Sequence, residues 1–142
     1  MCSLKKLFLV VAIIIIMSGL VFANEKVLRE TAADNVTPDF NKAFELADKF
    51  LTLLQQSKWE EAQELCGNVY AKREVTKLSQ DNGQNYYPVK NYHMTKKKHI
   101  VRDNGIEFYD GEWTGSMGLI VGNVNGKLKI IQFMPAIKVG RR

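Results

Sequence analysis

Apolar residues recur every three or four positions between Phe40 and Leu54, which is the spacing of one buried helical face. The preceding Thr37-Pro38-Asp39 predicts where this helix begins, with Thr37 as the N-cap, proline in the first turn and an acidic group near the positive end of the helix dipole. We therefore expect a long amphipathic helix that packs one face on the rest of the domain.

Two shorter helices are predicted after it. Ser57-Lys58-Trp59-Glu60 matches a capping box, in which the serine side chain accepts from an early backbone N–H and the glutamate reaches back to the cap. The helix that starts there is expected to end at Gly67. Weaker helical spacing runs from Asn68 to Ser79, until Asp81-Asn82-Gly83 breaks it.

The pattern changes from helix to strand at Tyr86, where β-branched and aromatic residues begin to dominate. Two Asn-Gly dipeptides, Asn104-Gly105 and Asn125-Gly126, separate the apolar runs, and each is a strong signal for a two-residue hairpin turn. Three helices followed by about four antiparallel strands predict an α+β fold, with the N-terminal helices packed on one face of a curved sheet.

The turn positions also predict the strand register. If Asn104-Gly105 is the first turn, Asp103 faces Ile106, and the pairs that follow are Arg102 with Glu107, Ile100 with Tyr109, His99 with Asp110, Lys97 with Glu112 and Lys96 with Trp113. If Asn125-Gly126 is the second turn, Val121 faces Ile130, Ile120 faces Ile131 and Gly118 faces Phe133. Gly115, Gly118 and Gly122 lie within a strand pattern with no helix start after them, so they do not form a phosphate loop.

The stretch "KAFELADKFLTLLQQSKWEEAQEL" and the order of helices before strands resemble the nuclear-transport-factor-two-like superfamily, also called cystatin-like or SnoaL-like. There a long helix rich in Phe and Leu leads into a bulky aromatic, here Trp59, and a short Ala-Leu helix. The resemblance covers roughly Asp39 to Pro135. It implies a sheet folded around a helix into a cone, with a pocket on the concave face, in a superfamily of isomerases, cyclases and non-catalytic binding or assembly domains.

The sequence of the N-terminal segment is typical of a secretory signal peptide and therefore predicts export. Lys5 and Lys6 precede an apolar run, and Val21 and Ala23 supply small residues before a cleavage point. We expect a signal peptide over 1–23, a flexible tether over 24–37 and a single α+β domain over 38–139, in a periplasmic or secreted protein. The alternative is an uncleaved segment that anchors the chain to a membrane.

Charge and cysteine content narrow the function classes. The formal net charge is +5, with most of the basic excess after Cys66, which favours anionic ligands or surfaces. Nucleic acid is not an expected partner of an exported protein. Cleavage removes Cys2 and leaves Cys66 alone, so an intramolecular disulfide is excluded and Cys66 is expected to be a small buried residue.

The segment "HMTKKKHIV", from His93 to Val101, places three lysines between the only two histidines of the chain. The two histidines lie about 20 Å apart if the strand rises roughly 3.3 Å per residue, so they cannot share one metal ion. No metal, cofactor or catalytic residue is assigned. The pair His99 and Asp110, read as an oriented general base, is the only catalytic alternative that the register suggests.

A ligand site is predicted on one face of this segment. Strand residues two apart point the same way, so Lys96 and Lys98 would share a face with Tyr92, Tyr109 and Trp113. Two lysines among aromatic rings would suit a carboxylate or phosphate attached to an apolar body. Two features work against this site: both lysines would extend into water if they lie beyond the helices, and a bulge at Gly111 would move part of the face to the other side.

The leading interpretation is an exported, non-catalytic domain that binds a small anionic or amphipathic ligand or a cell-envelope protein. The alternative from another class is an isomerase- or hydrolase-like enzyme that uses His99 and Asp110. A third is a structural assembly domain that forms a homodimer through its open sheet.

Overall fold

The computed structural model describes residues 34–110 and 116–138. The predicted signal segment, most of the tether, and Gly111, Glu112, Trp113 and Gly115 lie outside the described residues. Within the described ranges, no helix is both long and apolar enough to cross a membrane.

In this described part of the chain, three helices precede a four-stranded antiparallel sheet, which confirms the predicted α+β class. The strands pair in chain order, and the sheet is open and uncurled. The elements are α1 (Phe40–Gln55), α2 (Trp59–Glu64), α3 (Val69–Gln80), a short 3-10 turn (Val89–Asn91), β1 (His99–Arg102), β2 (Gly105–Tyr109), β3 (Gly118–Val124) and β4 (Lys127–Met134).

Helix α1 begins and ends differently from the prediction. Its N-cap is Asp39 and not Thr37, because the Asp39 carboxylate accepts from the backbone N–H of Lys42 at 3.0 Å. At the other end, Ser57 takes the left-handed backbone conformation (φ 58°). The Ser57 N–H donates to the Leu54 carbonyl oxygen, and the Lys58 N–H donates to the Leu53 carbonyl oxygen. This is a Schellman motif that ends α1.

The predicted capping box at Ser57 is therefore wrong. Serine at this position closes α1, and α2 starts after Lys58 without any side-chain cap. By contrast, Asn68 caps α3 by accepting from the backbone N–H of Ala71 at 2.9 Å, and the chain leaves that helix through Asn82 and Gly83, both with positive φ. The third helix thus lies where the sequence predicted it.

The first hairpin turns one residue earlier than predicted. Arg102 pairs with Gly105 and His99 with Phe108, so the turn is Asp103-Asn104, and every predicted partner in this hairpin shifts by two residues. Gly105 is needed in β2, because a Cβ there would lie 2.2 Å from the Val121 carbonyl oxygen in β3. The close approach of β3 fixes the register that the Asn-Gly signal alone misplaced.

The second hairpin forms at the predicted turn, with positive φ at both Asn125 (52°) and Gly126 (75°). Val121 pairs with Ile130 as expected. Beyond that pair the register shifts by one residue, so Ile120 pairs with Gln132 and Gly118 with Met134, and the predicted partners Ile131 and Phe133 are wrong. We call this irregularity, in which Ile131 is the extra residue of β4, the β4 bulge.

The three helices cover one face of the sheet, here called the helix face. One continuous core joins α1, α2 and α3 to inward side chains of three strands, namely Ile106, Phe108, Leu119, Val121, Ile130 and Phe133. The opposite face, here called the outer face, carries a separate small cluster of Ile120, Val124 and Ile131. Leu128, Ile130 and Phe133 all pack on the helix face. The β4 bulge therefore determines which face the side chains after Ile130 lie on.

The end of the predicted tether contacts the second hairpin. The Asp34 N–H donates to the Asn123 carbonyl oxygen at 2.7 Å, and its carboxylate accepts from the Gly126 N–H at 3.1 Å. The Asn123 side chain donates to the Val36 carbonyl oxygen at 3.2 Å. The chain therefore enters the domain beside the β3–β4 turn.

We expect Phe50→Ala to lower the free energy of unfolding by about 3–5 kcal/mol, because it removes a fully buried ring. That ring meets Phe133 edge-on at a centroid distance of 5.1 Å, so the change opens a cavity between α1 and β4. Urea denaturation measures the loss. Val101→Ala, at a side chain that is 60% exposed, is the control and should change stability by no more than about 0.5 kcal/mol; equal losses in the two variants would contradict the assigned core.

Candidate functional site

The basic segment is not a continuous strand. Lys96 and Lys97 form a turn, the Lys98 N–H donates back to the Thr95 carbonyl oxygen at 3.3 Å, and β1 begins only at His99. The two-residue alternation that places Lys96 and Lys98 on one face requires an extended backbone. Because Lys96 and Lys97 form a turn, alternation does not place Lys96 and Lys98 on one face.

Lys96 lies on the helix side of the sheet. Its amine is 3.2 Å from the Asn41 side-chain oxygen and 5.4 Å from the centroid of the Phe44 ring, and both of these residues belong to α1. The contact with Phe44 is a cation–π interaction at an exposed position. Lys96 thus fastens the start of β1 to the first helix.

Lys98 and Tyr109 lie on the outer side. The Tyr109 N–H donates to the Lys98 carbonyl oxygen, which places their side chains on the face opposite to Phe108 and His99. The Lys98 amine donates to the Asp110 carbonyl oxygen at 2.6 Å. The structure therefore brings Lys98 and Tyr109 together and separates both from Lys96, while Trp113 lies outside the described residues.

Tyr92 belongs to the core and not to a pocket wall. It is 2% exposed, and its hydroxyl oxygen accepts from the Ala136 N–H at 3.1 Å. Burial raises the pKa of the Tyr92 hydroxyl to about 12. This residue joins the segment before β1 to the segment after β4.

The structure places no contact between His99 and Asp110. The His99 ring stacks against Phe40 at a centroid distance of 4.6 Å, and its Nδ1 lies 2.7 Å from the Lys96 carbonyl oxygen. Asp110 is buried and accepts from the backbone N–H of His93 at 3.2 Å. A histidine that acts as an oriented general base needs a partner that holds its ring. Here the His99 ring contacts the Lys96 carbonyl oxygen, and Asp110 binds His93 instead of His99.

Two open grooves share Gln132 and Met134, one beside α3 and the other on the outer face. The first, of about 420 Å³, runs between α3 and β4 and is lined by Tyr70, Ala71, Glu74, Ile131, Gln132, Phe133 and Met134. The second, of about 330 Å³, crosses the sheet toward the first hairpin and is lined by Arg102, Asn104, Glu107, Ile120, Gln132 and Met134. Together they form a strip in which the first groove mixes polar and apolar surface and the second is mainly polar.

An ion pair marks the hairpin end of this strip. Two nitrogens of the Arg102 guanidinium donate to one Glu107 carboxylate oxygen, the Nε at 2.7 Å. These two residues were predicted to face each other, and they pair diagonally across the observed register. The third guanidinium nitrogen has no partner in the described ranges, so it can bind an additional anion.

The other candidate reactive groups have structural roles. Cys66 is buried as predicted, and desolvation raises the pKa of its thiol to about 12, which keeps it protonated and weakly nucleophilic. Among residues 34–110 and 116–138, no three His, Cys, Asp or Glu side chains lie close enough to share a metal ion. Within the same ranges, every buried side-chain nitrogen and oxygen atom has a hydrogen-bond partner.

Asp81 is a buried carboxylate whose sequence context predicted only a helix stop. It accepts from the backbone N–H groups of Asn85 and Tyr86 and from the Asn85 side chain, at 2.7–3.0 Å. Burial acts to raise its pKa, but these bonds, together with the charge of Lys138, outweigh burial and hold the pKa below the usual value of an aspartate. Asp81 organises the turn that leads from α3 to the sheet.

No protein-family model matches this chain, and neither does any curated protein or solved structure. The resemblance to the nuclear-transport-factor-two-like superfamily therefore stays a prediction.

We expect Asp81→Asn to destabilise the protein at neutral pH, because the amide replaces a carboxylate that accepts several N–H bonds. The native pKa of Asp81 lies below its unfolded value, so the stabilisation is complete above the unfolded pKa and is lost as pH falls through the native pKa. The stability difference between native protein and variant should shrink on acidification. Urea midpoints measured from pH 7 to pH 2 test this.

Asp48→Asn provides the matched control, since Asp48 is exposed on α1. The same exchange of carboxylate for amide should leave stability within about 0.5 kcal/mol at every pH. An Asp81→Asn difference that stays constant down to pH 2 would show that its carboxylate charge does not stabilise the turn.

Proposed function

We propose that this chain is an exported, non-catalytic binding domain whose outer face holds a small amphipathic anion. The observation that supports the proposal is a pair of grooves that meet at Gln132 and Met134, one between α3 and β4 and one on the sheet face that the helices leave uncovered. Export depends on the sequence of residues 1–23 alone.

The side chains of the outer face suit an apolar chain. Ile131 lines the first groove, Ile120 lines the second, and Met134 borders both. Ile100, which is 41% exposed, lies farther along the sheet in β1. Methionine adapts its shape to different apolar partners, and an alkyl chain gains about 25 cal/mol per Å² of apolar surface that it removes from water.

Arg102 supplies the charge for the anionic end of the ligand. Its side chain is 49% exposed, and the bonds to Glu107 hold the guanidinium at the rim of the second groove. A fixed guanidinium recognises carboxylate or phosphate oxygens at a smaller entropy cost than a mobile side chain. The candidate catalytic groups His99, Asp110 and Cys66 lie outside these grooves, which favours binding over catalysis.

Titration of the isotope-labelled full chain with decanoate, below its micelle concentration, tests this proposal. We expect saturable shifts of the amide signals of Ile120, Gln132 and Met134 in two-dimensional NMR spectra. Met134→Asp should weaken binding about tenfold, or 1.4 kcal/mol, because it removes apolar contact and repels the anion. Decyl maltoside, which has no charge, should bind more weakly than decanoate.

Val101→Asp is the matched control, because it adds the same charge at an exposed position on the helix face of the same sheet. It should leave decanoate binding unchanged. Shifts confined to residues outside the grooves, or equal affinities of the native protein and Met134→Asp, would overturn the proposed site.

A further inference from the structure

The two edges of the sheet differ in how many backbone N–H and C=O groups they present to another strand. At the β4 edge, the Ile130 N–H donates to the Leu65 carbonyl oxygen and its own carbonyl oxygen accepts from the Gly67 N–H, both at 2.8 Å. Asn68 adds a side-chain bond to the Ile131 carbonyl oxygen at 2.7 Å. These bonds occupy the middle of the β4 edge and block another strand from pairing there.

Among residues 34–110 and 116–138, none covers the β1 edge in this way. β1 pairs with β2 alone, and all four of its residues are exposed. Lys98 and Tyr109 are a hydrogen-bonded pair, so the alternation of an antiparallel ladder points the backbone groups of His99 and Val101 away from β2. Two N–H and two C=O groups of the described chain therefore face solvent along this edge.

Contacts from the helix side hold the β1 edge in place. Phe40 packs against the His99 ring, the His99 Nδ1 lies against the Lys96 carbonyl oxygen, and the Lys96 amine reaches Asn41 in α1. A strand that is already ordered loses little conformational entropy when a second strand pairs with it.

The charge along the edge is polarised. Lys96 and Lys97 are exposed at the start of β1, and Lys97 has no ion-pair partner among residues 34–110 and 116–138. Asp103 lies at the other end, in the turn to β2, where Glu107 offsets part of the Arg102 charge. In the part of the chain that the structure describes, positive charge without an ion-pair partner is thus concentrated where an antiparallel strand would place its C-terminal end.

We propose that the β1 edge binds an extended segment of a partner protein by antiparallel strand addition, with acidic side chains at the C-terminal end of that segment beside Lys96 and Lys97. His99 and Val101 supply up to four backbone hydrogen bonds, and the lysines select the acidic end. The backbone groups that it uses belong to His99 and Val101, and neither residue lines the two grooves described above.

A second copy of this chain matches the edge less well than an acidic segment does. Symmetric pairing through this edge centres on Ile100, so it places Asp103 of one copy opposite Lys97 of the other and the neutral Asn104 opposite Lys96. A segment with several acidic residues offers a carboxylate to each of the two lysines.

A synthetic peptide of alternating Val and Thr followed by three Glu residues tests the proposal with the isotope-labelled full chain. We expect saturable amide shifts and slowed hydrogen exchange at His99 and Val101. The same peptide with Lys in place of Glu should bind about tenfold more weakly, since two exposed ion pairs become repulsive. A peptide with N-methylated alternate amides, which cannot donate to β1, should not bind.

Two protein variants locate the binding strand. Val101→Pro removes one outward N–H while leaving the bonds to β2 intact, and should abolish binding, whereas Val101→Thr should bind as the native protein does. The proposal is overturned if the acidic peptide fails to bind at about 1 mM. It is equally overturned if the N-methylated peptide binds as well, if the shifts miss β1, or if the chain dimerises through β1.

Discussion

The extra residue in β4 determines which side chains reach each face of the sheet. Leu128 and Ile130 point toward the helices by simple alternation, and Phe133 would point outward if the strand continued without interruption. The β4 bulge returns Phe133 to the helix face, where it meets Phe50. It also leaves Ile131 and Gln132 on the outer face, where both line a groove. The core and the proposed ligand site therefore depend on the same irregularity.

Much of the fold follows from local patterns in the sequence. The helical spacing from Phe40 to Leu54, the break at Asp81-Asn82-Gly83 and the Asn125-Gly126 turn each depend on near neighbours in the chain, and each was predicted correctly. The errors arose where a distant contact decided the local structure. Gly105 is a strand residue because β3 approaches it, and no property of the first hairpin reveals that approach.

Ser57 illustrates a different limit. A serine before an amphipathic helix has the composition of an N-cap, but here the preceding helix needs a residue with positive φ to close its last turn. Glycine usually fills that position, and serine gives no such signal. The two roles compete for one residue, and the requirement of the longer helix, α1, prevails.

The candidate site was less predictable than the fold. The assignment of side chains to faces depends on both strand register and strand length, so an error in either moves many side chains to the wrong face. A longer strand would place Lys96 and Lys98 on one face, but the turn at Lys96-Lys97 separates them. The predicted neighbours Arg102 and Glu107 survived, because a two-residue shift keeps both on one face. The grooves were missed because "GLIVGNV" is apolar at most positions. Such a pattern indicates that both faces of the strand are buried or available for binding, but it does not identify what covers each face.

Contacts between α-protons of β3 and β4, observed by NMR in solution, would report whether β4 contains the bulge. In non-hydrogen-bonded antiparallel pairs these protons lie close together, so each contact reports one register pair. The β4 bulge predicts a contact between Val121 and Ile130, and a second between Leu119 and Phe133. A contact between Leu119 and Gln132 in place of the second would mean that the register continues without a bulge, and that the assignment of the two faces is wrong.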